Sequence, residues 1–411
     1  MLAVALFVLI YDENAMKFIY IISLFLIFSN AAAAALSPMD ADSYAVATEA
    51  EKSLSAKEEK QKNNPENRTA VLKDGTTYVG AMRGRRPHGK GKATSPDGTL
   101  YEGSFVKGQR QGNGVLTLPS GERYEGEFFA NKFQGIGTYY YLNGSSYEGE
   151  WFEGLRQGHG KMTYSNGDAY IGSWRADKRS GSGSYYYANG ASYVGEWLND
   201  LYNGRGRFIW NDNSRYVGEW KNNLRNGEGT YTFVNGDVYT GSWRDDMRDG
   251  EGEYIFANGD KYVGTYSVGL WNGKGIYTSV TGEVYEGDFV NGKRSGYGKM
   301  KLANGASYVG EWLDNKRSGK GKYSWANGDV YDGEWLNDTM HGSGTLNAAG
   351  IIYTGGFVDG CEEGSGVVID EDGVRHEGSF KKGLRDGKFI IKDVDGKLIR
   401  ECEYVLGELK N

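Results

Sequence analysis

The sequence predicts an all-β protein, an elongated single-layer antiparallel β-meander or solenoid of about 14 hairpin repeats. Glycine accounts for 64 of the 411 residues, and the chain also holds 31 Tyr and 10 Trp but only 5 Pro. A tyrosine with glycine two residues later recurs every 23 residues from Tyr78 to Tyr331. Many glycines together with many rings indicate tight turns and flat side chains to bury, which is typical of a repeated β unit.

The same composition excludes several classes of protein. Collagen is excluded because proline is scarce and no three-residue glycine period exists. Plain disorder is disfavoured because disordered chains are poor in aromatic residues. Two Cys are too few for a disulfide scaffold or a cysteine-built zinc cluster. A net charge of −7 disfavours an indiscriminate polyanion binder, so we expect no nucleic acid partner.

Residues 1–35 have the pattern of a secretory signal peptide. Met16 and Lys17 precede the apolar run Phe18–Phe28, and the small residues Ala31–Ala35 follow. A positive start, an apolar stretch and a small-residue exit predict export to the periplasm, cell envelope or medium, with Met16 as the true initiator. The alternative is a membrane anchor formed by uncleaved Phe18–Ala35, although this segment is short for a span of about 20 apolar residues.

Residues 36–77 form a predicted flexible linker. They are rich in Ala, Glu, Lys, Asn and Ser. Such a segment cannot bury enough apolar surface to fold alone, so we expect a polar stalk between the leader and the repeats.

The predicted repeat array occupies residues 78–399, and a degenerate cap covers 400–411. Each copy is numbered from its first residue, position 1, which is Tyr in every copy but the last. Positions 3 and 12 are Gly throughout, and position 5 is nearly always aromatic. The copies begin at residues 78, 101, 124, 147, 170, 193, 216, 239, 262, 285, 308, 331, 353 and 376.

Positions 19–21 carry the turn between one copy and the next. Sequences such as Asn189-Gly190 between alternating apolar segments predict a hairpin. Pro96 and Pro119 at position 19 favour a three-residue loop, in which a type I turn is followed by a left-handed glycine, over a two-residue type I′ turn. The segment between positions 5 and 12 is predicted to be an irregular loop, held by the residue at position 8, which is usually Gly, Asn or Asp.

The three-residue loop also determines the register. It places position 16 opposite the next Tyr, and positions 12 and 14 opposite positions 5 and 3 of the next copy. Rings can then lie across bare glycine backbone, which gives glycine a packing role inside strands. The other face is polar, with predicted charge pairs such as Lys92 with Glu102 and Lys320 with Glu334.

Two surfaces are candidate binding sites, an edge formed by position 10 and an aromatic groove. The first is a basic row at position 10, which either holds phosphates and acidic partner groups or caps loop carbonyls and pairs with loop acids such as Asp177, Asp246 and Asp314. The second is an aromatic groove, which either packs as core or leaves ring surface for a peptide or a sugar. The basic row is Arg110, Arg156, Arg179, Arg225, Arg248, Arg294, Arg317 and Arg385, and the groove is Trp151, Trp174, Trp197, Trp220, Trp243, Trp312 and Trp335.

No pattern in the sequence predicts catalysis. There is no phosphate-binding loop of the G-x-x-x-x-G-K-[ST] type and no kinase signature set. The four His lie in four different copies, so neither a metal site nor a catalytic triad is expected. Cys361 and Cys402 lie about four strands apart, too far for an intrachain disulfide. We therefore expect a protein with no enzymatic activity, cofactor or metal.

Copies such as YEGEWFEGLRQGHGKMTYSNG and YVGEWLDNKRSGKGKYSWANG resemble MORN (membrane occupation and recognition nexus) repeats. The resemblance covers Tyr78 to about Arg400. It implies an elongated antiparallel meander that serves as an attachment or scaffold module, with lipid headgroup binding, dimerisation and partner binding as activities of the family. Some members fuse the array to a phosphatidylinositol phosphate kinase, but a resemblance confined to the repeats transfers no kinase activity.

Three hypotheses of function follow. The first is a scaffold for a protein partner in the cell envelope, with a homodimer as one form. The second is a module that binds a membrane or anionic phospholipid headgroups through the basic row. The third is a glycan or cell-wall binder.

Overall fold

A computed structural model describes residues 68–410, and these residues form one antiparallel sheet of 32 strands. Strands that follow one another in the chain pair with each other, except that the segments 384–385 and 387–392 both pair with the strand Arg375–Lys381. The chain therefore runs as a meander from one end of the sheet to the other. Within the described residues, no helix is long and apolar enough to cross a membrane. The predicted signal peptide, the initiator Met16 and residues 36–67 of the predicted linker lie outside the described range.

The first sixteen strands are β1 Arg68–Val71, β2 Thr77–Arg83, β3 Arg86–Thr94, β4 Leu100–Val106, β5 Gln109–Thr117, β6 Arg123–Phe129, β7 Lys132–Tyr140, β8 Ser146–Phe152, β9 Leu155–Thr163, β10 Ala169–Arg175, β11 Lys178–Tyr186, β12 Ser192–Leu198, β13 Leu201–Ile209, β14 Arg215–Lys221, β15 Leu224–Thr232 and β16 Val238–Arg244. The remaining strands are β17 Met247–Ile255, β18 Lys261–Ser267, β19 Leu270–Thr278, β20 Val284–Val290, β21 Lys293–Lys301, β22 Ser307–Leu313, β23 Lys316–Ser324, β24 Val330–Leu336, β25 Thr339–Ala348, β26 Ile351–Val358, β27 Cys361–Ile369, β28 Arg375–Lys381, β29 Leu384–Arg385, β30 Gly387–Lys392, β31 Leu398–Val405 and β32 Glu408–Leu409.

The turn between copies has the predicted three-residue form. Between β3 and β4, the Ser95 N–H donates to the Thr99 carbonyl and the Gly98 N–H donates to the Ser95 carbonyl, both at 2.9 Å. Gly98 has a φ of 91°, the left-handed conformation that closes this loop. The resulting register pairs Ala93 with Tyr101, as predicted for positions 16 and 1.

The connection inside each copy differs from the predicted irregular loop. Between β10 and β11 only Ala176 and Asp177 remain unpaired, with φ values of 47° and 66°. Positive φ at both residues is the type I′ geometry of a two-residue hairpin. The irregularity is instead a bulge between Gly172 and Trp174, opposite Gly181 with a φ of 86°. The prediction was wrong although position 7 is Asn or Asp in seven of the 14 copies. In the other copies residues such as Ala, Lys and Val, which rarely adopt the left-handed conformation, hide the two-residue turn in the sequence.

The core is one layer of rings on a strip of glycine. Tyr147 is fully buried, and its hydroxyl donates to the Glu150 carbonyl at 3.0 Å. A Cβ added to Gly160 would lie 2.5 Å from Cζ of Tyr147, so the ring rests directly on the glycine backbone. The Tyr147 ring also meets Trp151 and Trp174 edge-on, with centroids 5.0 and 5.3 Å away. Because Trp174 belongs to the next copy, each tyrosine joins two repeats.

The sheet extends beyond both predicted ends of the array. Strand β1 pairs with β2, so the sheet begins inside the segment 36–77 that was predicted to be a flexible linker. The short alternating segment RTAV has no repeat signature, but it can satisfy the free backbone groups at the edge of β2. At the other end, β31 and β32 continue the pairing through the predicted cap 400–411.

Candidate functional site

The tryptophans predicted to line a groove lie in the buried layer of the ring-bearing face. Their exposed fractions lie between 4% and 6%. The indole N–H of Trp151 donates to the Gly137 carbonyl of the preceding copy at 3.0 Å, and Trp174 does the same with Gly160 at 3.2 Å. These contacts place the seven rings in the core and leave little ring surface for a ligand.

The arginines at position 10 bind the turn of the next copy. In Arg156 the main-chain N–H and Nε both donate to Oδ1 of Asp177 at 3.0 Å, and Nη2 donates to the Asp177 carbonyl at 2.9 Å. The same arrangement joins Arg179 with Asp200, Arg225 with Asp246 and Arg317 with Asp338. Position 8, where the acid lies, is therefore the partner of position 10 one copy earlier.

Aromatic rings hold each guanidinium from the other side. The Cζ atom of Arg156 lies 4.3 Å from the ring centroid of Trp174 and 5.7 Å from that of Tyr147. In the four ion pairs the arginine side chain is only 19% to 23% exposed. These arginines thus connect neighbouring repeats through cation–π contacts and charge-assisted hydrogen bonds.

One predicted partner of the basic row is different in the structure. Asp314 pairs with Lys293 at 3.3 Å, whereas Arg294 donates through Nη2 to the carbonyl of Asn315 at 3.1 Å. Asp314 occupies position 7 of its turn, and only position 8 faces the arginine of the preceding copy.

The accessible part of this face consists of a row of rings at positions 16 and 18, which we call the ring ladder. Its side chains are half-buried, and successive centroids lie 4.5 to 6.4 Å apart. The sequence placed these rings on the same face as the tryptophans, but it did not show which of the two rows covers the other. The ladder is Tyr185, Tyr187, Phe208, Trp210, Tyr231, Phe233, Tyr254, Phe256 and Tyr277.

Aspartates at position 22 hold the ladder in place. Oδ2 of Asp260 accepts a hydrogen bond from the Tyr277 hydroxyl at 2.6 Å, and its Oδ1 accepts one from the Val280 N–H at 2.9 Å. The Tyr277 hydrogen bond is the main cause that lowers the pKa of Asp260 to about 2. Burial, followed by the hydrogen bond to Asp260, raises the pKa of Tyr277 to about 12. Sequence reasoning did not identify this aspartate row.

The opposite face is polar and exposed. Lys92 pairs with Glu102 at 3.6 Å, as predicted. Lys320 lies opposite Glu334 in the register, but the two side chains form no ion pair, so this predicted pair is wrong. The first copy concentrates cations, since five arginine and lysine side chains of β2, β3 and their turn are exposed. They are Arg83, Arg85, Arg86, Lys90 and Lys92.

A family model described as "MORN repeat" matches thirteen segments that cover more than half of the chain. The copy that begins at Tyr353 is not matched, although it forms β26 and β27 with the same pairing of Gly355 and Gly366. The matched segments are residues 78–100, 101–123, 124–146, 147–169, 170–192, 193–215, 216–238, 239–261, 262–284, 285–307, 308–330, 331–347 and 376–388.

No curated protein matches the chain significantly. Among solved structures, the TCP domain of SAS-4 (dCPAP) of Drosophila melanogaster, in complex with a proline-rich motif of Ana2 (dSTIL), is 18% identical; the match covers 37% of this chain and 83% of that chain with a TM-score of 0.25. The TCP10 domain of Danio rerio CPAP, in complex with a STIL peptide, is 13% identical; the match covers 77% and 99% with a TM-score of 0.19. At these TM-scores neither likeness bears on fold or partner.

Proposed function

The chain belongs to the MORN repeat family, and from that premise we propose that it is a non-enzymatic scaffold that holds a protein partner in the cell envelope. The observation that carries this proposal is the ring ladder. It presents half-buried aromatic surface along successive repeats from Tyr185 to Tyr277. Aromatic rings with a polar edge are favoured at protein interfaces because they bury a large area at a small entropic cost.

The ladder suits an extended peptide. Four copies contribute two rings each, and the hydroxyls of Tyr185, Tyr254 and Tyr277 each donate to an aspartate. In one of these pairs the Tyr254 hydroxyl donates to Asp237 at 2.6 Å. A ligand that follows the array therefore meets a repeated pattern of apolar surface and polar groups. Contacts between neighbouring copies hold this pattern in place before binding, which reduces the entropy lost when a partner docks.

The position in the cell envelope is part of the proposal and rests on the predicted signal peptide over residues 1–35. Fractionation of the source cells tests it directly. Recovery of the protein in the envelope or periplasm, with residues 1–35 removed, is the expected result. Recovery of the intact chain in the cytosol would reject export.

Partner binding is tested by affinity capture from an envelope extract, followed by titration of the captured protein against the purified chain. We expect the double variant Tyr187→Ser/Phe233→Ser to bind at least tenfold more weakly than the unaltered chain. The control, Val194→Ser/Val217→Ser, alters residues on the opposite face that are 38% and 50% exposed. Circular dichroism must show the same sheet content in both variants. Equal affinities would rule out the ladder, and light scattering would identify a second copy as the partner.

A second candidate function is attachment to an anionic lipid surface through the cations of the first copy. Arg85 and Arg86 favour it because they are exposed, unlike the arginines of the basic row. Co-sedimentation with phosphatidylglycerol vesicles at low salt tests this function. Arg85→Glu/Arg86→Glu is expected to abolish pelleting, while Lys320→Glu/Lys322→Glu on the same face retains it. No pelleting of the unaltered chain would reject lipid attachment.

A further inference from the structure

Arg248 is one of two members of the basic row whose facing turn has glycine, and therefore no side chain, at the position that binds arginine in other copies. Position 8 of the next copy is Gly269, so only the main-chain carbonyl accepts a hydrogen bond, from Nη2 at 2.8 Å. The adjacent Asp249 pairs with Arg244 at 2.8 Å. Among residues 68–410, no carboxylate lies within ion-pair distance of Arg248. Arg385 also faces a glycine, Gly407, but it donates to the Tyr404 hydroxyl at 3.2 Å.

The missing group can be identified from the other copies. In the Arg179 turn, Oδ1 of Asp200 accepts from both the main-chain N–H and Nε of the arginine, each at 3.0 Å. Gly269 removes this acceptor without moving the arginine, because Nη2 of Arg179 and Nη2 of Arg248 bind the corresponding carbonyls at 3.1 and 2.8 Å. A carboxylate oxygen is therefore absent from a place whose donors remain in position.

A cavity of about 320 Å³ opens beside Arg248, between it, Tyr254, Phe256 and Trp271. This volume lies at the lower end of the range for small-ligand sites. Trp271 stands where most copies have arginine, and it stacks on Tyr262 with centroids 4.2 Å apart and an interplanar angle of 7°. Its indole N–H donates to the Tyr266 hydroxyl at 3.1 Å. The aromatic wall of the cavity is therefore rigid before any ligand enters.

The related position near Arg179 is closed. There the residue at position 10 of the next copy is Tyr202, whose hydroxyl contacts that of Tyr187 across the face. Asp200 neutralises the arginine from the other side. An aromatic residue beside the arginine is thus compatible with a filled site, and the single difference that leaves Arg248 without a carboxylate is the glycine at position 8.

We propose that the cavity beside Arg248 binds a carboxylate that carries an apolar or aromatic group. The carboxylate would accept from the guanidinium where Asp Oδ1 does in other copies, and the apolar group would lie against Trp271 and Phe256. A carboxylate binds favourably to this guanidinium because the aromatic rings already hold it in place, so little side-chain entropy is lost on binding. A free organic acid and the chain end of a peptide both provide this chemistry. The site shares Tyr254 and Phe256 with the ring ladder.

Gly269→Asp supplies the missing carboxylate from the chain itself and is the decisive variant. Asp occurs in the equivalent turns with φ of 66° at Asp177 and 72° at Asp200, and Gly269 has a φ of 81° with no atom within 4 Å of an added Cβ. We therefore expect the variant to fold and to have a higher thermal midpoint than the unaltered chain. The matched control is Gly154→Asp, at the same turn position with a φ of 89° and open space, where the facing residue is Phe133.

The test is titration of the full chain with phenylacetate, monitored by the indole N–H signal of Trp271 and assigned with Trp271→Phe. We expect saturable binding to the unaltered chain and to Gly154→Asp, and at least tenfold weaker binding to Gly269→Asp and to Arg248→Met. Phenylacetamide, which lacks the charge, is expected not to bind.

A second arm uses Ala-Ala-Phe with a free carboxyl terminus and the same peptide as its amide. Tighter binding of the peptide acid than of phenylacetate would identify a chain end as the source of the carboxylate, and the reverse order a small acid. The proposal is overturned if neither acid binds, if the amides bind as well as the acids, or if Gly269→Asp binds phenylacetate like the unaltered chain. Failure of the envelope-capture experiment would leave this result unaffected.

Discussion

Nε of Arg156 lies 3.0 Å from Oδ1 of Asp177, which belongs to the following repeat. The contact recurs along the array and acts together with the edge-on stacking of each tyrosine on the ring at position 5 of its own and of the next copy. In a linear array, stability comes from each repeat and from its interfaces with its neighbours. The arginine and the rings therefore stabilise the interfaces between repeats, and most of their surface is buried in those interfaces.

Arg156→Lys is expected to lower the free energy of unfolding by about 1–2 kcal/mol. A lysine ammonium is a point charge, which cannot bind the Asp177 carboxylate and carbonyl together while it covers the Trp174 ring. Urea unfolding followed by tryptophan fluorescence measures the change. Arg175→Lys, on the next strand at an exposed position, serves as the control. Equal midpoints for both variants would contradict the interface role.

Gly137→Ala is expected to cost about 3 kcal/mol or more, because overpacking a filled core displaces groups that cannot move freely. Its Cβ would lie 2.6 Å from Cε2 of the buried Tyr124 ring. Gly154→Ala provides the comparison, since its added Cβ meets no atom within 4 Å and the cost is that of the left-handed backbone alone, about 1 kcal/mol. Thermal unfolding of the two variants separates packing from backbone strain. A smaller loss for Gly137→Ala would refute the ring-on-glycine arrangement.

The array is expected to unfold at alkaline pH. Burial raises the pKa of Tyr101, Tyr285 and Tyr331 from the ordinary value of 10.0 to about 12. The neutral phenol is favoured in the folded state, so its stabilisation is complete below pH 10 and is lost as pH rises toward 12. Circular dichroism and near-ultraviolet tyrosinate absorbance should change together in this window. Titration of most tyrosines near pH 10 with the sheet intact would contradict this prediction.

Tyr277→Phe is expected to raise the pKa of Asp260 from about 2 toward its ordinary value near 4, because the phenol hydrogen bond is the largest cause of the low pKa. The Asp260 carboxylate stabilises the fold at pH values above the pKa that it has in the unfolded chain. That contribution is lost as the pH falls through the pKa of the folded state. Carboxyl-detected NMR titration measures the shift. Tyr231→Phe, whose hydroxyl donates to Ser214, should leave Asp260 unchanged. An unaltered Asp260 pKa in Tyr277→Phe would exclude this hydrogen bond as the cause.

Much of the repeat could be read from the sequence because its cause is local. Gly98 in the left-handed region and Pro96 beside it specify the loop between β3 and β4, and the loop length then specifies the register of Ala93 and Tyr101. The turn at Ala176 and Asp177 was missed, since a residue without a left-handed preference is held there by the strands on either side. The RTAV strand was missed because its pairing comes from the open edge of β2 and not from its own pattern.

The sequence by itself determined the period, the turns between copies and the face on which the rings lie, because glycine, proline and alternating apolar residues act within one hairpin. Only the tertiary structure decided which rings stay accessible and which arginines remain without a carboxylate. Those outcomes depend on contacts between copies. One example is the hydrogen bond from Arg156, at position 10, to Asp177, in the turn 21 residues later. An arginine at position 10 forms an ion pair where it faces Asp200 and has no carboxylate partner where it faces Gly269, so its role is determined by its neighbour in space.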